Sequence, residues 1–300
     1  MMPDTLRSPP NQMEPTHTTK IFKAPAPHMV GDGFRVHNFF PGGYEIDMNP
    51  FFLMDYGSKI QFSARKNPRG VGIYPHRGLE TITLAYYGAV SHHDSSGHSG
   101  TIYPGDAQWM TAGSGILHKE YHEQEYSLKG GPFQMVQLWV NLPAIHKMTR
   151  PRYQSVTRPD MEKFELPDGG EIEVIAGNYQ GKKGIAQTFT PIELYNARIN
   201  EGSKASFSFP GSYNTGIMVI AGSILLNDQE TIQTDQFIYF GKNMQPIEIK
   251  ALNDSILLVL SGAPIDEPIV QYGPFLMNTE AEIHQAIADY NEGRFGYLEE

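Results

Sequence analysis

The sequence predicts an all-β protein built from two barrels of one type, with a single helix closing the chain. Three observations carry this expectation. Glycine (30) and proline (22) make up 52 of 300 residues, well above their usual share of about 12%; such dense punctuation marks many short elements joined by turns. Between the breaks lie runs rich in Val, Ile and aromatics: FRVHNFF, ETITLAYY, FQMVQLWVNL, EIEVIAGNY, TGIMVIAGSILL, DQFIYFG and SILLVLSG, the composition of strands. The third is a weak internal repeat. YYGAVSHHDSSGHSGTIYPGDAQWMTAGSG and VIAGSILLNDQETIQTDQFIYFGKN share the order strand, Gly, strand, turn, strand, with Thr234-Asp235 standing where Gly105-Asp106 stood. Two like barrels account for both the repeat and a length of 300 residues, twice the roughly 150 of one domain.

Taken in chain order, residues 1–20 read as a flexible tail, polar and broken by Pro3, Pro9, Pro10 and Pro15. The tail has no apolar h-region, so it predicts neither signal peptide nor anchor. No run approaches the roughly 18 apolar residues of a membrane span, and the expected location is cytoplasmic. Residues 21–146 form the expected first barrel and 147–300 the second, with the helix. Glu80 to Leu84 alternate polar and apolar residues, as a half-buried strand does. At the C-terminus Thr279 and Glu282 have capping-box spacing, Ile283, Ala286, Ile287 and Tyr290 make one apolar stripe, and Gly293 stands where a helix stops. That stripe predicts packing against a barrel flank rather than chemistry.

Composition excludes several function classes. A net charge of −10 disfavours direct nucleic-acid binding and docking on anionic membranes. Zero cysteines remove disulfides, thiolate nucleophiles, Cys-ligated zinc and iron–sulfur clusters. Histidine is unevenly placed: six of eleven lie from His76 to His122, and none between residues 147 and 283. The first half is chemically equipped and the second is not.

Two segments carry that equipment, Tyr74-Pro75-His76-Arg77-Gly78-Leu79-Glu80 and Gly115-Ile116-Leu117-His118-Lys119-Glu120. Residues two apart on a strand share a face, so His118 pairs with Glu120 and Tyr74 with His76. Two such pairs facing one another can surround one metal, and imidazole with carboxylate suits Fe, Mn, Ni, Cu or Zn. The bland reading is that a His-x-Glu in a strand is surface polarity. Glu80 shares the face of His76 but lies ~13 Å along the strand, too far for the same metal. His92, His93 and His98 sit among Ser, Gly and Asp and read as solvated loop residues. Trp109 reads as wall packing.

The runs PHRGLETITL, PGDAQWMTAGSGILHKE and GPFLMNTEAEIHQAIADYNEGRFG, with NPFFLMDYG upstream, resemble the pirin family of bicupins from about Gly31 to Gly296. The resemblance implies two stacked cupin β-barrels, a metal in the first and a degenerate second. It implies one divalent or trivalent transition metal, iron first, with Ni, Zn, Mn or Cu also compatible. The family holds it with a His-Pro-His element and a His-x-Glu element. By motif position His76, His118 and Glu120 match; the first histidine is replaced by Tyr74. A phenol must lose its proton to ligate, so three readings stand. The metal rests on His76, His118 and Glu120 with water in the fourth corner; Tyr74 ligates, favouring Fe(III); or the site is empty.

The implied activity is that of a quercetin 2,3-dioxygenase-like oxidoreductase, in which a flavonol-like aromatic substrate and O2 react and the ring opens with loss of carbon monoxide. Glu120 would then be catalytic as well, taking the substrate proton. The alternative is a non-catalytic, redox-responsive metal-binding protein acting through a protein partner. Neither reading involves direct nucleic-acid or membrane binding.

Overall fold

The structure, a computed structural model, describes residues 19–242 and 245–299. The expected tail lies outside the described residues as far as residue 18; Lys20 already opens a strand. The first half builds a seven-stranded sheet in the order Arg152–Val156, Ala107–Thr111, Leu79–Tyr87, Gly131–Asn141, Phe51–Phe62, Phe34–Phe40, His28–Val30. A four-stranded sheet of Gly70–His76, Ile116–His122, Val90–Asp94 and Ser99–Ile102 accompanies it. The second barrel repeats the plan and takes one edge strand, Lys20–Lys23, from the N-terminal part of the chain. Lys20–Lys23, Gln236–Lys242, Asn214–Ala221, Ser255–Gly262, Ile192–Ile199, Gly170–Ala176 and Glu162–Glu165 form seven strands. Lys204–Phe207, Ile247–Ala251, Ser223–Leu226 and Glu230–Gln233 form the four. The architecture is therefore all-β, two stacked cupin barrels of seven plus four strands. In neither barrel do the two sheets join into one.

The repeat seen in the sequence includes the turn by which the chain crosses from the seven-stranded to the four-stranded sheet of each barrel. Leu79–Tyr87 turns into Val90–Asp94 through Gly88, and Asn214–Ala221 into Ser223–Leu226 through Gly222. Both glycines hold φ near +80° (77° and 83°), a conformation other residues rarely adopt. Asp106 and Asp235 each open the next strand, and the amide of Asp235 closes its turn on Val219 O.

The two seven-stranded sheets pack face to face. Ile82, Leu84, Trp109 and Leu138 from one meet Met218, Phe237, Leu258 and Leu260 from the other in a single buried cluster. Trp109 is fully buried there, as wall packing predicts. Hydrogen bonds cross the apolar seam: Tyr86 Oη donates to Asn196 Oδ1 at 2.7 Å, and Gln134 Nε2 to Ile220 O at 2.8 Å. Each fixes register, because a one-residue slip would leave both partners buried and unpaired.

Leu79–Tyr87 departs from expectation. It is buried on both faces along eight of its nine residues, not half-buried. Its apolar residues serve the seam, while the threonines face into the barrel, which is why the alternation looked like that of a surface strand. Glu80 follows Ile82 and Leu84 to the seam side, where Thr111 Oγ1 donates to its carboxylate at 2.6 Å. The turn at Arg77 and Gly78 separates it from His76, so the two do not share a face.

The C-terminal segment closes over the first barrel. The helix Glu280–Asn291 carries the expected capping box, and Ile283 and Ala286 are buried against Phe275, Met277 and Phe295. Tyr290, the last residue of the predicted stripe, is exposed; Asp289 is buried instead, because it pairs with Arg77 at 2.8 Å. A second helix, Gln124–Lys129, is too short for its periodicity to register in the sequence. The hairpin before the C-terminal helix lies on the motif that follows His76. Leu276 N donates to Arg77 O at 3.1 Å. A Cβ at Gly78 would stand 2.1 Å from Leu276 O, with φ at +79°, so only glycine fits. Lys147 Nζ, fully buried, donates to Gly78 O (2.9 Å), Asn141 Oδ1 (2.7 Å) and Leu276 O (2.7 Å).

Two stability predictions follow from these buried groups. Burial raises the Glu80 carboxyl to about 7. The folded protein then keeps a proton that the unfolded chain releases near pH 4.5, and the associated stability is lost as pH rises from there through 7. Glu80→Gln should be near neutral at pH 4.5 and stabilising by roughly 2–3 kcal/mol at pH 8; urea unfolding showing equal effects at both would mean Glu80 is ionised in the fold. Lys147→Met leaves three buried acceptors unpaired and should cost about 3 kcal/mol or more. A melting temperature within a degree or so of the parent's would contradict that.

Candidate metal centre

Tyr74 and His76 lie on the edge strand Gly70–His76, and His118 and Glu120 on its neighbour Ile116–His122. His76 pairs with Ile116 and His118 with Tyr74; the register then shifts, so that Glu120 faces Val71. The extra residue sits on the edge strand, a bulge of the kind that re-aims side chains. The structure brings all four residues together. Ring centroids are 4.2 Å apart for Tyr74 and His118, 4.9 Å for His76 and His118, and 5.1 Å for Tyr74 and His76. His76, His118 and Glu120 are buried and Tyr74 is half-buried.

The two imidazoles are poised as donors of lone pairs. His76 Nδ1 lies 3.1 Å from Pro274 O; a carbonyl only accepts, so Nδ1 carries the proton and Nε2 is bare. That Nε2 has no partner, and neither nitrogen of His118 has one. Burial lowers His76 to about 4, and burial with the neighbouring His76 and His92 holds His118 well below its ordinary value. Both rings are therefore neutral at pH 7. The indole of Trp139 stands edge-on to His76 at 4.9 Å.

Glu120 is engaged differently. Thr83 Oγ1 (2.8 Å) and Gln108 Nε2 (2.5 Å) donate to its Oε1; Gln137 Nε2 (2.7 Å) and Tyr74 Oη (3.3 Å) donate to its Oε2. Burial, with the adjacent carboxylate, raises the Tyr74 phenol well above its usual range, so it is a hydrogen-bond donor here and not an anion. Among the described residues no three His, Asp or Glu groups stand at metal-holding spacing. The orphaned imidazole nitrogens fit a cation.

Of the other candidates, His92 corrects the sequence reading. It lies in the paired strand Val90–Asp94, opposite Glu120, and is 1% exposed. Its ring faces His118 at 5.4 Å and stacks on Tyr153 at 5.0 Å, and Nε2 contacts Asp94 Oδ2 at 3.2 Å. A short strand rich in Ser, His and Asp reads as a loop because its inward residues are polar. His98 does reach the surface, on Asp94 at 3.3 Å, and His93 is half-buried beside Tyr121. Sequence reasoning missed Thr83, Gln108, Gln137 and the Pro274 carbonyl. Thr83 and Gln108 lie in the very runs that carried the resemblance, as polar residues at inward positions of buried strands. Pro274, 198 residues from His76, left no local signal.

Known proteins resemble this chain along most of its length. The chain matches the pirin family over residues 33–140 and the pirin C-terminal cupin domain over residues 194–296. It is 44% identical over 272 residues to a Pseudomonas aeruginosa protein provisionally named quercetin 2,3-dioxygenase, covering 89% of this chain and 94% of that one. Human pirin is 35% identical over 256 residues, 84% of each chain. A crystal structure of quercetin 2,3-dioxygenase from Acinetobacter baumannii superposes with a TM-score of 0.87 at 42% identity, covering 93% of this chain and 98% of that one. The nickel(II) complex of the Escherichia coli pirin YhhW, at 20% identity and a TM-score of 0.64 over 83% of this chain and all of that one, shares the fold. With both halves matched and relatives above one-third identity along most of its length, the chain belongs to the pirin family.

Proposed function

We propose that the protein is a metal-dependent dioxygenase of the quercetinase type, acting on flavonol-like aromatic substrates with O2. The observation that carries the reading is the pair of neutral, buried imidazoles, His76 and His118, whose rings lie 4.9 Å apart with His76 Nε2 and both nitrogens of His118 unpartnered. Relatives named for quercetin 2,3-dioxygenase activity supply the reaction class. His76, His118 and Glu120 would hold a transition metal, with iron and nickel the leading candidates. Such a metal polarises a substrate enol oxygen and lowers its pKa.

The chain's own residues do the rest. The Pro274 carbonyl holds the His76 ring in one tautomer. Thr83 and Gln108 fix Oε1 of Glu120, which leaves Oε2 as the atom free to exchange partners and to take the substrate proton. Space is the constraint: the void bounded by Tyr74, Glu120 and Gln137 measures about 10 Å³, roughly one water. A flavonol is far larger than that void, so its binding beside Glu120 would require the lining side chains, Tyr74 and Gln137 among them, to move. The same closed void favours the second reading, a non-catalytic, redox-responsive metal protein that acts on a protein partner.

Three measurements separate these readings. Metal analysis of the purified protein should find about one transition metal per chain, lost in His118→Ala; no metal after reconstitution would end the proposal. Tyr74→His should tighten metal binding at least tenfold in a chelator competition, whereas unchanged or weaker binding would make Tyr74 itself a ligand or the corner unused. Glu120→Gln should lower flavonol turnover by about 100-fold or more at equal metal loading. Normal turnover would remove its role as base, and absence of flavonol-dependent O2 uptake in the metal-loaded parent would leave the non-catalytic reading.

A further inference from the structure

The void beside Glu120 has a second carboxylate in its wall. Asp55 forms its polar side together with Tyr74, Glu120 and Gln137, and Phe34, Val36 and Met135 back it with hydrocarbon. The steps proposed for the reaction leave Asp55 without a task. Its direction is fixed by strand register. Asn38, Asp55, Gln137, Thr83 and Gln108 stand opposite one another in turn on five adjacent strands of the seven-stranded sheet. Opposed residues of antiparallel strands share a face, and Thr83, Gln108 and Gln137 all reach Glu120 from that face. Asp55 therefore looks into the same interior.

It is also held firmly. Phe51–Phe62, which carries it, is an inner strand paired on both sides, whereas Tyr74 lies on an edge strand. Asn38 Nδ2 donates to Asp55 Oδ1 at 2.8 Å and to Phe40 O at 3.2 Å, and Asn38 Oδ1 accepts from Gly42 N at 2.8 Å. Both ends of that amide are thus fixed. Asp55 Oδ2 has no partner among the described residues. The residue is 8% exposed, so this oxygen has lost most of its water without gaining a donor, and burial raises the carboxyl above its ordinary value. Such a group costs free energy until a donor arrives.

We propose that Asp55 is a specificity-determining residue of this site, whose free oxygen accepts a hydrogen bond from a second, non-reacting hydroxyl of the substrate. The assignment rests on the flavonol reading of the site and narrows it to ring systems with at least two hydroxyls. One gives its proton to Glu120; the other keeps its proton and docks on Asp55. Because Asp55 stands on an inner strand, it keeps its place while Tyr74 and Gln137 move to admit the ring, and so sets the ligand's orientation. A ligand without the second hydroxyl strips Asp55 of its remaining water and returns nothing. Sites built to bind a hydroxyl reject analogues lacking it more sharply than an apolar pocket rejects a missing methylene.

Quercetin and 3-hydroxyflavone test this, since they share the ring system and the reacting hydroxyl and only quercetin carries others. Calorimetry on the metal-loaded full chain under nitrogen, where no turnover intrudes, should find quercetin at least tenfold tighter. Asp55→Asn keeps the acceptor for Asn38 and turns a donor toward the void. It should weaken quercetin at least tenfold and leave 3-hydroxyflavone within about twofold; a merely structural role would weaken both alike. Equal affinity of the parent for the two flavonols, binding of neither, a preference kept in Asp55→Asn, or equal weakening of both would each overturn the proposal, and the first two outcomes need no variant. The reaction fails separately. Selective binding without O2 uptake in air would end the dioxygenase reading and keep Asp55, whereas O2 uptake with the preference unchanged in Asp55→Asn would remove Asp55 and keep the reaction.

Discussion

The face-to-face packing of the two seven-stranded sheets governs what every other part of the molecule can do. A sheet whose outer side is sealed by another sheet has no solvated face, so each strand must serve two buried surfaces with alternate residues. In Leu79–Tyr87, Ile82 and Leu84 go to the seam and Thr83 goes to the barrel interior. The second barrel answers this constraint with hydrocarbon: Val174, Ile217, Val219, Ile224, Phe207 and Ile249 fill its interior. The first barrel answers it with polar groups, and a polar interior must satisfy itself. That requirement explains the mesh of Thr83, Gln108, Gln137 and Tyr74 around Glu120. It also sets apart the unpartnered nitrogens of His76, His118 and the neighbouring Trp139.

Position depends on the chain's far end. Arg77, next to His76, is held by Ser114 O at 2.8 Å, by Asp289 and by the ring of Phe295 at 4.7 Å. Lys147 ties Gly78 to Leu276, and Pro274 meets His76 itself. The C-terminal hairpin and helix thus act as a clamp across the strand-to-strand turn at Arg77 and Gly78. One barrel carries the imidazoles, but the last thirty or so residues orient one of them. A ring oriented through a backbone carbonyl is insensitive to side-chain drift in the clamp, which suits a donor that must keep one tautomer.

Much of this was legible in the sequence, and the failures have a common cause. Dense glycine and proline, the two sheet-to-sheet turns at Gly88 and Gly222, and the capping box at Thr279 are local signals, and each is present in the structure. The pairs Tyr74/His76 and His118/Glu120 were legible because strand alternation is itself local. His92 reads as a loop residue because local polarity is taken for exposure, and Glu80 falls on the wrong face because strand alternation is carried through the turn at Arg77 and Gly78. In a barrel with a polar interior that inference reverses: His92 is polar because it faces inward. The Asn141 amide, oriented by Lys147 six residues later, and the Pro274 carbonyl at 198 residues' separation are products of tertiary folding that no window of sequence displays.

Tyr74 is where the two answers to the packing constraint meet. A histidine in its place would offer a third bare nitrogen; the phenol instead offers a proton, and in a closed interior that proton must find an acceptor. It finds Glu120 Oε2, the one carboxylate oxygen not already held by Thr83 and Gln108. The same side chain that caps the small void therefore also occupies the atom that a metal or a substrate proton would need. On the proposed reading, loading and access are one event. An outward swing of Tyr74 widens the void and removes one of the two donors on Oε2, leaving Gln137 Nε2 at 2.7 Å, and its return restores the saturated mesh. On that reading the substitution would change the order of operations without removing the chemistry: two imidazoles would wait, and the carboxylate would join only when the phenol and Gln137 give up Oε2.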